Sequence, residues 1–143
     1  MKISSKGQYA VRVMAQLAES KKEYVSLSEI AEKQNISVKY LEKIMSLLTK
    51  AKLLESSMGS LGGYKLAKSP DECMVSDILS VTGDLPELVP CQKAHCPNQC
   101  KCVTMGCWET LSNIIYDYLK SISLLDLVNK TYKKSWQTCF LIL

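Results

Sequence analysis

The sequence predicts a mainly α-helical fold with one small β-hairpin wing, followed by a long helix on the C-terminal side. Three observations carry that prediction. Apolar residues recur at helical spacing through the first 50 residues, two short alternating runs flank a glycine-rich tip at 59–63, and a second apolar stripe begins at Trp108. Four segments are expected: a compact domain over 1–82, a cysteine-rich loop over 83–107, one helix over 108–128, and a tail over 129–143 whose role the sequence does not indicate.

The first helix spans about residues 5–19, with Tyr9, Val13, Met14 and Leu17 recurring along one face. Ser26-Leu27-Ser28-Glu29 is a capping-box pattern that opens a short helix through Lys33. Ser37 is a good N-cap for a third helix, Val38 to about Lys52, and the tight link Gln34-Asn35-Ile36 joins the two. Two short helices so joined form a helix-turn-helix, although such pairs also occur as plain packing units.

The third helix separates those readings. At about 100° per residue, Leu41, Ile44, Met45 and Leu48 gather on one side and should face the core. Lys39, Lys43, Ser46 and Lys50 form a stripe on the opposite side, with Tyr40 on its flank. A lysine stripe on the second helix is what phosphate and groove contacts need, though lysine is also the ordinary solvated residue of a helix surface. Next, Leu53 to Ser57 and Tyr64 to Lys68 alternate like two strands around Gly59-Ser60-Leu61-Gly62-Gly63. A helix-turn-helix followed by a β-hairpin is a winged helix. The tip lacks the Lys-Ser/Thr ending and following helix of a phosphate loop, which excludes a nucleotide site of that type.

Charge follows the same division. The net charge is +4, but residues 1–70 hold 12 Lys and Arg against 6 Asp and Glu, whereas residues 71–143 hold 6 against 8. A basic N-terminal half suggests a polyanion partner. With 47% apolar and 22% charged residues the chain is globular rather than disordered. No apolar run is long enough to span a membrane, and the N-terminus lacks a signal-peptide core, so a cytoplasmic protein with no membrane partner is expected.

Five of the seven cysteines, Cys91, Cys96, Cys100, Cys102 and Cys107, crowd into one window that also holds the only histidine, His95. In a reducing compartment such clustering favours metal ligation or redox chemistry over structural disulfides. Cys91 with Cys96 and Cys102 with Cys107 can supply a four-thiolate zinc site, and neighbouring thiols can also act as a cofactor-free switch. His95 alone is an ordinary loop residue; its place inside the window makes it a ligand candidate. Cys73 and Cys139 read as buried or incidental thiols. With one histidine and no acid/base pair near the cysteines, the machinery for an enzyme is thin, so a small iron–sulfur carrier or metal enzyme is the weaker alternative.

From Trp108, apolar residues recur at Leu111, Ile115, Tyr118, Ile122 and Leu125. If four helices and a wing close the core of the first domain, this remaining amphipathic helix is available as a dimer interface through Trp108, Leu111, Ile115, Tyr118 and Ile122.

Taken together, Met1 to Ala10, Ile36-Ser37-Val38-Lys39-Tyr40-Leu41-Glu42 and Gly59-Ser60-Leu61-Gly62-Gly63-Tyr64 resemble the Rrf2 family of bacterial transcription regulators, over residue 1 to about 125. The resemblance implies a homodimeric winged-helix repressor on a pseudo-palindromic double-stranded DNA operator. Lys39, Tyr40, Glu42 and Lys43 would reach the major groove, with Ser46, Lys50 and the wing residues Gly59 and Ser60 beside them. The family often carries an arginine at the wing base; Met58 stands here and cannot make its hydrogen bonds. The resemblance also implies an iron–sulfur cluster, 2Fe–2S in preference to 4Fe–4S, held by Cys91, Cys96 and Cys102. Members with a histidine ligand place it where this chain has Met105, so Cys107, Cys100 and His95 remain open as the fourth ligand. Zinc is the runner-up.

Overall fold

The computed structural model describes residues 2–89 and 101–133 of the 143-residue chain. In order they form α1 (Ser5–Glu19), α2 (Leu27–Gln34), α3 (Val38–Lys50), β1 (Leu54–Ser57), β2 (Gly63–Leu66), α4 (Val75–Thr82), α5 (Met105–Lys120) and α6 (Leu124–Asn129), ending in a 3-10 turn over Thr131–Lys133. Each early helix starts on a serine. Ser4 accepts from the Gly7 N–H at 3.0 Å, Ser26 from Glu29 at 3.3 Å and Ser37 from Tyr40 at 3.2 Å, satisfying N–H groups the helix leaves unpaired. Glu29 does not complete the expected capping box; its carboxylate pairs with Lys22 at 2.7 Å. Asn35 ends α2 in the left-handed conformation that asparagine tolerates, which turns the chain into α3.

The core is built from Ala10, Val13 and Met14 of α1, Ile30 of α2, Leu41, Ile44, Met45 and Leu48 of α3, and Ile78 of α4. A buried amide pair, Gln34 donating to Gln16 at 2.6 Å, ties α2 to α1. The hairpin is antiparallel, with Leu54 opposite Leu66 and Ser57 opposite Gly63. Val25 extends it by one bridge, exchanging hydrogen bonds with Tyr64 at 3.0 and 2.9 Å.

Two expectations change on the C-terminal side. The single helix expected over 108–128 is two helices, with α5 starting earlier, at Met105, and a break at 121–123. Ser123 restarts the chain as the N-cap of α6, its hydroxyl accepting from the Asp126 N–H at 3.1 Å while the Asp126 carboxylate accepts from the Ser123 N–H at 3.0 Å. Nor does the first domain close alone: Leu124 is fully buried in the core with α1 and α3 residues. Backbone bonds from Leu124 to Cys73 and from Val75 to Ile122, both 2.9 Å, stitch the break onto the chain entering α4. Ile122 is 5% exposed and packs with Val75 and Leu79, so it serves this chain's interior rather than the expected dimer contact.

Candidate nucleic-acid interface and cysteine segment

On α3 the division into faces is clean. Leu41, Ile44, Met45 and Leu48 are buried, while Lys39, Glu42, Lys43, Ser46 and Lys50 are exposed. Lys39, Lys43 and Lys50 take part in none of the salt bridges among the described residues, which leaves their ammonium groups to solvent or to an anionic partner. Tyr40 is half-buried. Its ring meets Tyr9 edge-on at 6.0 Å between centroids, and the Arg12 guanidinium lies 5.1 Å over Tyr9. Tyr40 therefore braces the start of α3 against α1. The sequence pattern named Tyr40 and Tyr9 but gave no sign of their contact or of Arg12.

The wing stands beside this helix. Gly59 and Ser60 are exposed at its tip, as are Met58 and Leu61. Lys65 on β2 is committed elsewhere, with Glu55 at 3.4 Å, Glu23 at 3.9 Å and the Tyr24 ring at 4.9 Å. The Tyr24 contact, then Glu55, raises its pKa and keeps it a cation.

A polar clasp holds the N-terminus. Asp84, just past α4, accepts from the Ser4 N–H and hydroxyl, both at 2.8 Å, and from Thr82 at 2.6 Å. Burial pushes its pKa up, but the bonds from Thr82 and Ser4, with Lys6 nearby, outweigh it and hold the carboxyl below its ordinary value. Gly7 lies so close to Asp84 that a side chain there would collide with the carboxylate.

Of the cysteine window, Cys102 and Cys107 are described; Cys91, Cys96, Cys100 and His95, like Cys139, lie outside the described residues. Cys102 is half-exposed immediately before α5, its sulfur 3.4 Å from the Thr104 hydroxyl. That hydroxyl first, and then the backbone N–H groups of Thr104 and Met105, lower its pKa despite some desolvation. A seat that favours thiolate suits a metal ligand. Cys107 is exposed in the first turn of α5. Cys73 is different: burial first, then Asp77, push its thiol up to about 11. Among the described residues no three metal-binding side chains converge.

The inward side of α5 runs through Trp108, Ser112, Ile115 and Leu119, and Tyr118 packs near Val75, Leu79 and Ile122. Leu111 (40% exposed), Ile114 (60%) and Tyr116 face out. Ile114 lies outside the apolar stripe of Leu111, Ile115 and Tyr118 and carries no sequence signal that sets it apart from its neighbours. No helix among the described residues is long and apolar enough to cross a membrane.

A helix-turn-helix with an exposed cationic second helix and an adjoining hairpin defines the winged-helix, DNA-binding class of transcription regulators. Within that class the chain belongs to the Rrf2 family, described as an iron-dependent transcriptional regulator, whose profile matches residues 3–130. It is 39% identical over 131 residues to the HTH-type transcriptional regulator IscR of Pectobacterium carotovorum, covering 90% of this chain and 80% of that one. A putative HTH-type regulator of Neisseria meningitidis is 36% identical, with 91% and 89% covered. Among solved structures, CymR, the global cysteine regulator of B. subtilis, superposes with a TM-score of 0.75 at 32% identity over 91% of this chain and 98% of that one. The IscR of T. potens gives 0.72 at 37%, over 92% and 88%. The relatives are named as transcription regulators, and this chain is a DNA-binding regulator of that kind, not an enzyme.

Proposed function

We propose that the chain is a cytoplasmic homodimeric repressor whose cysteine window senses iron–sulfur, redox or nitric oxide status and adjusts binding to a pseudo-palindromic operator. Lys39, Lys43, Ser46 and Lys50 contact phosphates and base edges, and Glu42 reaches the major groove beside them and Tyr40. The cluster, of the 2Fe–2S type, is held by Cys91, Cys96 and Cys102, with Cys107, Cys100 or His95 completing the set. When bound it supplies a group that oxygen, nitric oxide or iron shortage can remove. The family's description as iron-dependent and the IscR name of several relatives support this assignment.

The observation that carries the reading is the position of Cys102. Its thiolate-favouring seat ends where α5 begins, and α5 packs on α4 in the body of the winged domain. A ligand change at Cys102 therefore acts on the first turn of the helix that offers Leu111 and Ile114, neighbours at i and i+3, to a second copy. On the inward side of that helix lies a groove of about 330 Å³ lined by Ile3, Val11, Val75, Leu79 and Leu119, with Gln8 and Arg12 completing its wall. Trp108 and Ile115 support the interface from the inward side.

The test is an anaerobic preparation with visible absorption and metal analysis, then titration of operator DNA with holo and apo protein. Charge-transfer absorption lost in Cys102→Ala, with a holo-to-apo affinity change worth about 1–3 kcal/mol, is expected. Stoichiometric zinc without colour would assign the window to zinc. Equal holo and apo affinities would remove the sensor.

A further inference from the structure

We infer that the chain's own tail covers the groove on the inward side of α5, with the apolar run 140–143 seated between α1, α4 and α5. The inference is independent of the DNA role proposed for α3. Residues 134–143 lie outside the described residues, and their composition points to burial. No charge follows Lys134, and four large apolar side chains, Phe140, Leu141, Ile142 and Leu143, succeed one another. Such a run is costly to leave in water and is the reverse of the polar composition of segments that stay unfolded.

Three observations select the groove as its seat. Tyr132, next to the last described residue, packs against Val75, Leu79 and Ile122, and Val75 and Leu79 form one wall of the groove. Residues 134–143 span about 33 Å when extended, so the run arrives with chain to spare. A tether this short gives a local concentration in the millimolar range, which favours the chain's own tail over a free partner. The lining also matches, since Ile3, Val11, Val75, Leu79 and Leu119 present carbon to a space of about 330 Å³. Another concavity among the described residues mixes Ser28, Glu32, Asn35 and Ser37 with its apolar lining and fits the run less well. Finally, the groove is not the face proposed for a second copy. At about 100° per residue, Ile114 stands about 140° around α5 from Leu119, so tail and partner protomer use different sides.

The test follows the tail in the full chain. Trp108→Phe and Trp136→Phe remove both native tryptophans, and Phe140→Trp then reports the surroundings of the run. Its emission should be blue-shifted and its quenching by acrylamide about tenfold slower than for a free tryptophan, at every protein concentration. Ile3→Asp and Leu119→Asp, each placing a charge in the groove, should restore the behaviour of a free side chain, with circular dichroism checking that the helices persist. Benzoylphenylalanine introduced at position 140 should, on illumination, join peptides holding Ile3, Val11 or Leu119 in a product with the mass of one chain. If both charged variants unfold, that crosslink map decides alone. Fast quenching in the starting protein, or crosslinks that map outside the groove, overturns the inference. Protection that vanishes on dilution, with crosslinked products of two chains, assigns the groove to a second copy and overturns it as well.

Discussion

Helices α3 and α5 are both amphipathic, yet they end differently. The apolar stripe of α3 is wholly consumed by the chain's own core, and its polar side is left exposed. On α5 only part of the apolar surface turns inward, and Leu111, Ile114 and Tyr116 remain outside. One half of the molecule is complete as a single chain. The other half carries a surface that soluble proteins ordinarily cover.

The largest expected effect tests that contrast directly. Leu48→Ala removes a fully buried side chain of α3 and should cost about 2–5 kcal/mol in urea unfolding. Ile114→Ala on α5 should cost less than about 0.5 kcal/mol in dilute protein, where little dimer is present. Equal losses at high dilution would mean that Ile114 is interior to the single chain, and the comparison would break.

Next comes assembly. Ile114→Asp places an unpaired charge where the second copy is proposed to sit. Sedimentation should shift to monomer, and operator affinity should fall by about one to two orders of magnitude, because two half-sites need two linked domains. A wild type that stays monomeric at high concentration would overturn the dimer.

How much of this was readable in the sequence follows from how local each signal is. The three early helices and the wing rest on serine caps, a left-handed asparagine, glycines at a tip and stripes of four residues, all within a few positions of one another. The break before α6 was equally local: Ser123 and Asp126 repeat the capping pattern seen at Ser26 and Glu29. The longer apolar stripe ran across it, because Ile122 and Leu125 keep helical spacing whichever side of a break they occupy. What no local pattern holds is the return of residues 122–125 to 70–75, which depends on backbone pairing some fifty residues apart. The site divides the same way. The exposed face of α3 was legible from its period, whereas the Tyr40–Tyr9–Arg12 contact and the Asp84 clasp are products of tertiary packing.

A smaller effect sharpens the α3 side. Lys39→Ala and Lys43→Ala should each weaken operator binding by about 1 kcal/mol and lower the salt slope by about one where a phosphate contact is lost, or relax base preference where a base contact is lost. Unfolding should move by less than about 0.5 kcal/mol, since both residues are exposed. Unchanged affinity in both variants would take α3 out of the interface.

The smallest effect lies where the two halves meet. Asp84 ties the start of α1 to the end of α4 on the threshold of the cysteine segment, and Asp126 does the corresponding work at the restart after α5. Both carboxyls are held below their ordinary pKa: Asp84 by Thr82 and Ser4 against an opposing burial effect, Asp126 chiefly by the Ser123 N–H and hydroxyl, with Thr131. A carboxyl whose folded pKa is depressed binds its proton more readily in the unfolded chain. Its stabilisation is therefore fully present above the unfolded value, near about 4, and is lost as pH falls through the folded value. Asp84→Asn should cost about 1 kcal/mol between pH 5 and 8, and the gap to wild type should close below about pH 4. Asp126→Asn should behave alike, because its charge sits in the same kind of hydrogen-bonded seat. Urea unfolding of the three proteins across that range measures it. A gap that persists into acid would mean that the second accepting oxygen, which an asparagine amide nitrogen cannot replace, and not the charge, holds the clasp shut.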